Sequence, residues 1–204
     1  DIQRETSNTF DEGKSGSFLG GIKASTVALG AMAASGIAAV GAGLKASFDL
    51  AREFEQSMAD VSAITGATGD ELQSLSDLAR DMGATTAHSA SAAAEGIQFL
   101  GMAGFDTTQI MDALPATLNL ASAAGMELGA AADISSNILS GMGMNAGDLD
   151  GVVDKLAQTS RNANTDVGQL GEAFKMVGPT AGAAGMSFDD TTVSLGLLAN
   201  AGLQ

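Results

Sequence analysis

Apolar positions along the chain follow three patterns. Residues 1–23 are polar and mixed, rich in Ser, Gly and charge, and show no periodic apolar face. They read as a flexible or weakly helical leader. From Ala24 to Leu44 the chain carries no charged side chain, with Lys23 and Lys45 flanking the run. From Phe48 onward the spacing becomes that of amphipathic helices. Phe48, Leu50, Ala51, Phe54, Met58, Val61 and Ile64 fall near one helical face until Thr65-Gly66-Ala67-Thr68-Gly69 interrupts it. Thr68 with Glu71 has the spacing of a capping box, so a new helix is expected there. Its apolar face would be Leu72, Leu75, Leu78, Ala79 and Met82, with Gly83 ending it. Period-two alternation and β-branched runs are missing, so no sheet is expected.

Beyond this helix the pattern repeats at about 42 residues. Asp106 corresponds to Asp148, Asp112 to Asp154, Leu114 to Leu156, Leu128 to Leu170, and Gly143-Met144 to Gly185-Met186. Each unit reads as a helix, a short turn, a second helix and a Gly-rich exit. Asp106 and Asp148 are candidate N-caps, and Ser187 with Asp190 opens a third unit. Residues 70–105 resemble a shorter, more diverged copy. One hairpin cannot bury its own apolar face, so such units stack. The predicted fold is all-α: an Ala/Gly-rich hydrophobic helix over 24–47, then a bundle or stack of short helical hairpins over 48–204.

Residues 24–44 are long enough to span a hydrocarbon layer as a helix. Only Val27, Leu29, Met32, Ile37, Val40 and Leu44 are strongly apolar, however, against the glycines Gly30, Gly36, Gly41 and Gly43. The balance for insertion is marginal. The small-residue spacing suits close helix contact in protein or in lipid. Packing on other protein, conditional insertion and a constitutive anchor all remain open readings. A signal peptide is disfavoured by the long acidic-bearing polar stretch ahead of the run.

Composition sharpens this picture. The 204 residues contain 27 glycines, 10 methionines, no Trp, no Tyr and no Cys, with a net charge of −15. Apolar mass is therefore mostly Ala, Leu, Met and Val. Such a core buries little area per residue and is expected to lean on neighbouring copies or a confining partner. Direct nucleic-acid binding is not expected without a basic stripe or stacking aromatics. Neither disulfides nor thiolate chemistry is available. The start at Asp1 and the stop at Gln204 suggest a segment of a longer protein.

Candidate chemistry is sparse. Gly13-Lys14-Ser15 imitates the end of a phosphate-binding loop, but Asn8 stands where the first Gly is needed. His88 is the sole histidine, too few for a zinc or copper site. A Ser–His–acid triad lacks its nucleophile motif. Asp49/Glu53, Asp77/Asp81 and Asp150/Asp154 lie four apart, beside Arg52, Arg80 and Lys155, as solvated charged faces do. Asp189-Asp190 reads as first-turn charge. Met102, Met111, Met126, Met142, Met144, Met176 and Met186 cluster near expected helix ends, where they pack adaptably or form a Met-rich partner surface. No catalytic residue, cofactor or metal is expected.

Phe54-Glu55-Gln56-Ser57-Met58-Ala59-Asp60-Val61, running on to Thr65-Gly66-Ala67, resembles the core region of phage tail tape-measure proteins. In that family a Gly/Ala-rich apolar stretch precedes such a segment, as Ala24–Leu44 does here. The likeness continues through Ala113–Ala121, Asn164–Val167, Val177-Gly178-Pro179-Thr180-Ala181 and Leu197–Gly202. Phe54, Glu55, Met58, Val61, Thr65, Gly66, Pro179 and Gly202 carry it most clearly. The resemblance implies a structural, non-enzymatic tail protein that occupies the tube lumen, sets tail length and leaves before DNA. It implies copies of itself, tail tube protein, tail tip proteins and assembly chaperones as partners. A host membrane would join them during ejection if residues 24–44 insert. The competing reading is a membrane-active pore-forming or secreted helical protein using the same residues.

Overall fold

The computed structural model describes residues 45 and 47–202. The chain divides into two compact units, residues 1–51 and 52–204. Of the first, only residue 45 and residues 47–51 are described, and they are helical. The leader and the run 24–44 lie outside the described residues, including Val27, Leu29, Gly30, Met32, Gly36, Ile37, Val40, Leu44 and the Gly13-Lys14-Ser15 turn.

Among the described residues there are helices and no strands. Helix α1 covers 47–65. It is followed by α2 (Asp70–Thr85), α3 (Ala90–Met102), α4 (Thr107–Ala124), α5 (Leu128–Met142), a single 3-10 turn (Ala146–Asp148), α6 (Leu149–Asn162), α7 (Val167–Ala183) and α8 (Phe188–Asn200). The second unit is a stack of hairpins in two rows. Helices α2, α4, α6 and α8 each pack on the next in one row, and α3, α5 and α7 do so in the other. Within the unit, α1 lies on α3, where Gln98 Nε2 donates to the Ser57 carbonyl at 3.1 Å.

Local signals explain most helix ends. Asp106 accepts from the Gln109 N–H at 2.9 Å, and Gln109 Oε1 accepts from the Asp106 N–H at 3.0 Å, a reciprocal capping box. Asp166 caps α7 through Gln169, and Ser187 caps α8 through Asp190. Gly143 (φ 65°) and Gly185 (φ 76°) close α5 and lead out of α7 in the left-handed region, at equivalent places in the repeat.

Two expectations about helix ends are corrected, and a third in part. Thr68 is not a cap: α2 starts after Gly69, with no side-chain cap bond. Gly83 does not end α2, which continues to Thr85. A Cβ on Gly83 would lie 2.6 Å from the Ala90 backbone nitrogen, so the glycine admits the start of α3. Asp148 stands at the N-cap position of α6 as expected, but its side chain makes no cap bond there. It ends the 3-10 turn, and its carboxylate accepts from the Asn145 N–H at 2.9 Å.

The core runs continuously through both rows. Leu75, Ile97, Leu100, Ile110, Leu114, Leu118, Ile138, Leu149, Leu156 and Phe174 are fully buried. The repeat pairs Leu114/Leu156 and Leu128/Leu170 thus fall on the core side, with Leu128 half-buried. Small residues set the row spacing. A Cβ on Gly171 would meet Ile134 at 2.5 Å, and one on Gly182 would meet the Gly141 carbonyl oxygen at 2.7 Å. Helix α7 therefore rests almost backbone to backbone on α5. At the far end Phe174 and Phe188 stack with centroids 5.0 Å apart.

Candidate functional site

The residues that carried the family likeness do structural work at two places. On α1, Met58 and Val61 are buried, while Phe54 is half-buried with the Arg80 guanidinium 4.9 Å above its ring. Glu55 is exposed at the rim of a cleft of about 390 Å³ that Phe54, Met58 and Leu72 line. Thr65 Oγ1 donates to the Val61 carbonyl at 2.8 Å and accepts from the Ala67 N–H at 3.2 Å. Gly66, at φ 71°, then turns the chain out of the helix. This segment is an end-of-helix device joined to a packing face. At the other end, Pro179 lies inside α7 against α5, with its Cδ 3.3 Å from where a Cβ of Gly141 would stand. Gly202 (φ 86°) leads out of α8.

The polar candidates separate. The ring of His88 reaches α4, with Nε2 2.7 Å from Ser122 Oγ and 3.2 Å from the Leu118 carbonyl. It ties the α2–α3 loop to α4. Nothing local in the sequence marks a contact 34 residues away. Among the described residues no carboxylate bonds its other ring nitrogen, so Ser122 and His88 have no third member. No group of three or more potential metal ligands comes together among the described residues. Nor is any helix among them long and apolar enough to cross a membrane.

Ion pairs stitch the rows instead. Lys155 of α6 pairs with Asp189 of α8. Lys175 of α7 pairs with Asp133 of α5 at 2.5 Å and with Glu172 at 2.8 Å. Hydrogen bonding to Asp133, then to Glu172, raises the Lys175 pKa above its ordinary 10.5. The charged residue Asp189, read from sequence as helix-dipole charge alone, thus also has a partner.

Exposed apolar side chains stand on α1 (Phe48, Leu50 and Ile64) and again on α7 and α8. Met176, Val177, Val193, Leu197 and Leu198 are all exposed, Met176 at 76% and Leu197 at 65%. A groove of about 230 Å³ between the two helices is lined by Leu170, Ala173, Met176, Val177, Leu195 and Leu198. The methionines divide. Met126, Met142 and Met144 pack against the core, whereas Met102, Met111, Met176 and Met186 are exposed. Met111 and Met176 lie inside α4 and α7 rather than near helix ends.

Residues 76–204 match the family model described as phage-related minor tail protein. The chain belongs to this family, whose members here are the phage tail tape-measure proteins. It is 37% identical over 159 residues to the tape measure protein of Pneumococcus phage Dp-1, covering 78% of this chain and 14% of that one. It is 31% identical over 180 residues to the probable tape measure protein of Escherichia phage P2, covering 84% and 22%. The probable tape measure protein of Clostridium phage phiCD119 is 27% identical over 162 residues, covering 78% and 17%. The tape-measure chain in hand therefore spans less than a quarter of the length of each of these relatives. No solved structure matches it. The matched region begins within α2 and includes every hairpin from α3 onward.

Proposed function

We propose that this tape-measure segment is a length-determining structural element held inside the phage tail tube. Several copies would lie together there while tube protein polymerises around them, and they would leave ahead of the DNA. Tail tube protein, tail tip proteins and assembly chaperones are the proposed partners, and the proposed role involves no enzymatic step. The observation that carries the reading is the 37% identity to a phage tape measure protein across 78% of the chain. The fold is compatible with it, because a stack of hairpins changes length by whole units without a new core.

The test is genetic. Residues 106–147, one hairpin and its exit, would be deleted or duplicated in frame in the phage, and tail lengths measured by electron microscopy. The deletion is expected to shorten tails and the duplication to lengthen them. Tails of unchanged length in both would overturn the role. Residues 24–44 are proposed as the segment that meets a host membrane during ejection. Liposome binding that survives their deletion would remove that part.

A further inference from the structure

The two ends of the hairpin stack differ in chemistry. Toward the α1–α2 end the exposed positions include the charged Arg52, Glu53, Glu55, Asp60, Asp70, Glu71, Asp77, Arg80 and Asp81, beside exposed Ile64 and the cleft that Phe54, Met58 and Leu72 line. Another cleft there, between α1 and α3, is lined by Glu53, Ser57, Asp60, Ser89, Glu95 and Gln98 among others. The α7–α8 end exposes Met176, Val177 and Leu198 around an apolar groove, and Val193 and Leu197 of α8 beside a second cleft toward α6. A terminal repeat that ends a stack usually presents a polar outer face. The α7–α8 end does not.

The row rule says what belongs on the second. Helix α5 covers α3 and α7 covers α5, while α6 covers α4 and α8 covers α6. Continued by one step, the rule puts a helix on α7 and another on α8. Both helices carry apolar residues left uncovered by α5 and α6.

We infer that the outer face of α7 and α8 is a stacking face, occupied in the parent chain by the helical hairpin that follows Gln204. The occupant is assigned in cis on the length of the relatives. The relatives leave at least 78% of their own length outside the matched segment, so chain is available. The inference concerns how the chain folds and stands whether or not the protein gauges tail length.

The experiment compares the 204-residue chain with its parent chain by hydrogen exchange and thermal unfolding, each with Leu197→Glu and, as a second variant, Val193→Glu. In the 204-residue chain both positions are exposed, so neither substitution should lower the melting temperature by more than about 1–2 °C. In the parent chain, amides of α7 and α8 should exchange about tenfold more slowly, and each substitution should abolish that gain. Equal exchange in the two chains would overturn the assignment, as would a parent reading frame that stops at Gln204. Self-association of the 204-residue chain that Leu197→Glu abolishes, and that persists in the parent chain, would give the face to a second copy instead. Self-association that disappears in the parent chain would support the cis hairpin.

Discussion

Replacing Gly182 by alanine adds one methyl group at the closest contact between α7 and α5. That methyl would stand 2.7 Å from the Gly141 carbonyl oxygen and 3.4 Å from Met142 Cα. Both neighbours are backbone, so no rotamer change can make room. An ordinary contact begins near 3.4 Å, so the helices must part locally by about 0.7 Å. Overpacking of this kind costs roughly 1–3 kcal/mol. Against it stands the helix-propensity gain of Gly→Ala, at most about 1 kcal/mol and less so close to the helix end. A net loss of about 1–2 kcal/mol follows, or roughly a 2–8 °C fall in melting temperature for a chain of this size. The control is Gly151→Ala in the first turn of α6, where an added Cβ meets nothing within 4 Å. There only the propensity gain acts, and the melting temperature should rise. Far-UV circular dichroism followed through thermal unfolding reads both. If Gly182→Ala stabilises as Gly151→Ala does, the backbone-contact account of α5–α7 packing is wrong.

Gly171→Ala should also destabilise, but through a side chain, because its Cβ would strike Ile134. Combining it with Ile134→Ala should cost less than the two single changes summed, and a double-mutant cycle measured by urea unfolding checks this. Asp106→Ala removes a reciprocal cap and should cost about 1 kcal/mol, with Asp106→Asn losing much less. Lys175 has a folded pKa above 10.5, so its stabilising contribution is complete below that value and fades as pH rises through the raised one. The stability gap between the wild type and Lys175→Met should accordingly stay constant through neutral pH and shrink in strong alkali. A gap that widens with alkali would refute the ion-pair assignment.

The hairpin rhythm was legible because its punctuation is local. Asp106 and Ser187 cap their helices through residues three positions on, and Gly143 and Gly185 sit at equivalent exits. Gly83 was misread for a physical reason. A glycine that ends a helix and a glycine that admits a neighbour look alike in sequence, and only the position of Ala90 separates them. Thr68 does not cap α2 because the N-cap position falls one residue later, on Gly69. Contacts such as His88 to Ser122 and Lys175 to Asp133 join separate helices, which no local spacing encodes. The exposure of Leu197 was equally hidden, since its surroundings in sequence resemble those of a core helix.

The row packing has a mechanical consequence. From α2 to α8 the extensive contacts of each helix are with its neighbours and next-but-one neighbours, so α2 and α8 are joined only through the helices between them in any substantial way. A structure closed in that way unzips rather than shatters. Pulled from one end, the stack is expected to release hairpin by hairpin in small successive steps, each exposing only the face of the next. The same locality favours rapid refolding as chain becomes free. A protein built so can be drawn out through a narrow opening without ever presenting its whole core to solvent at once.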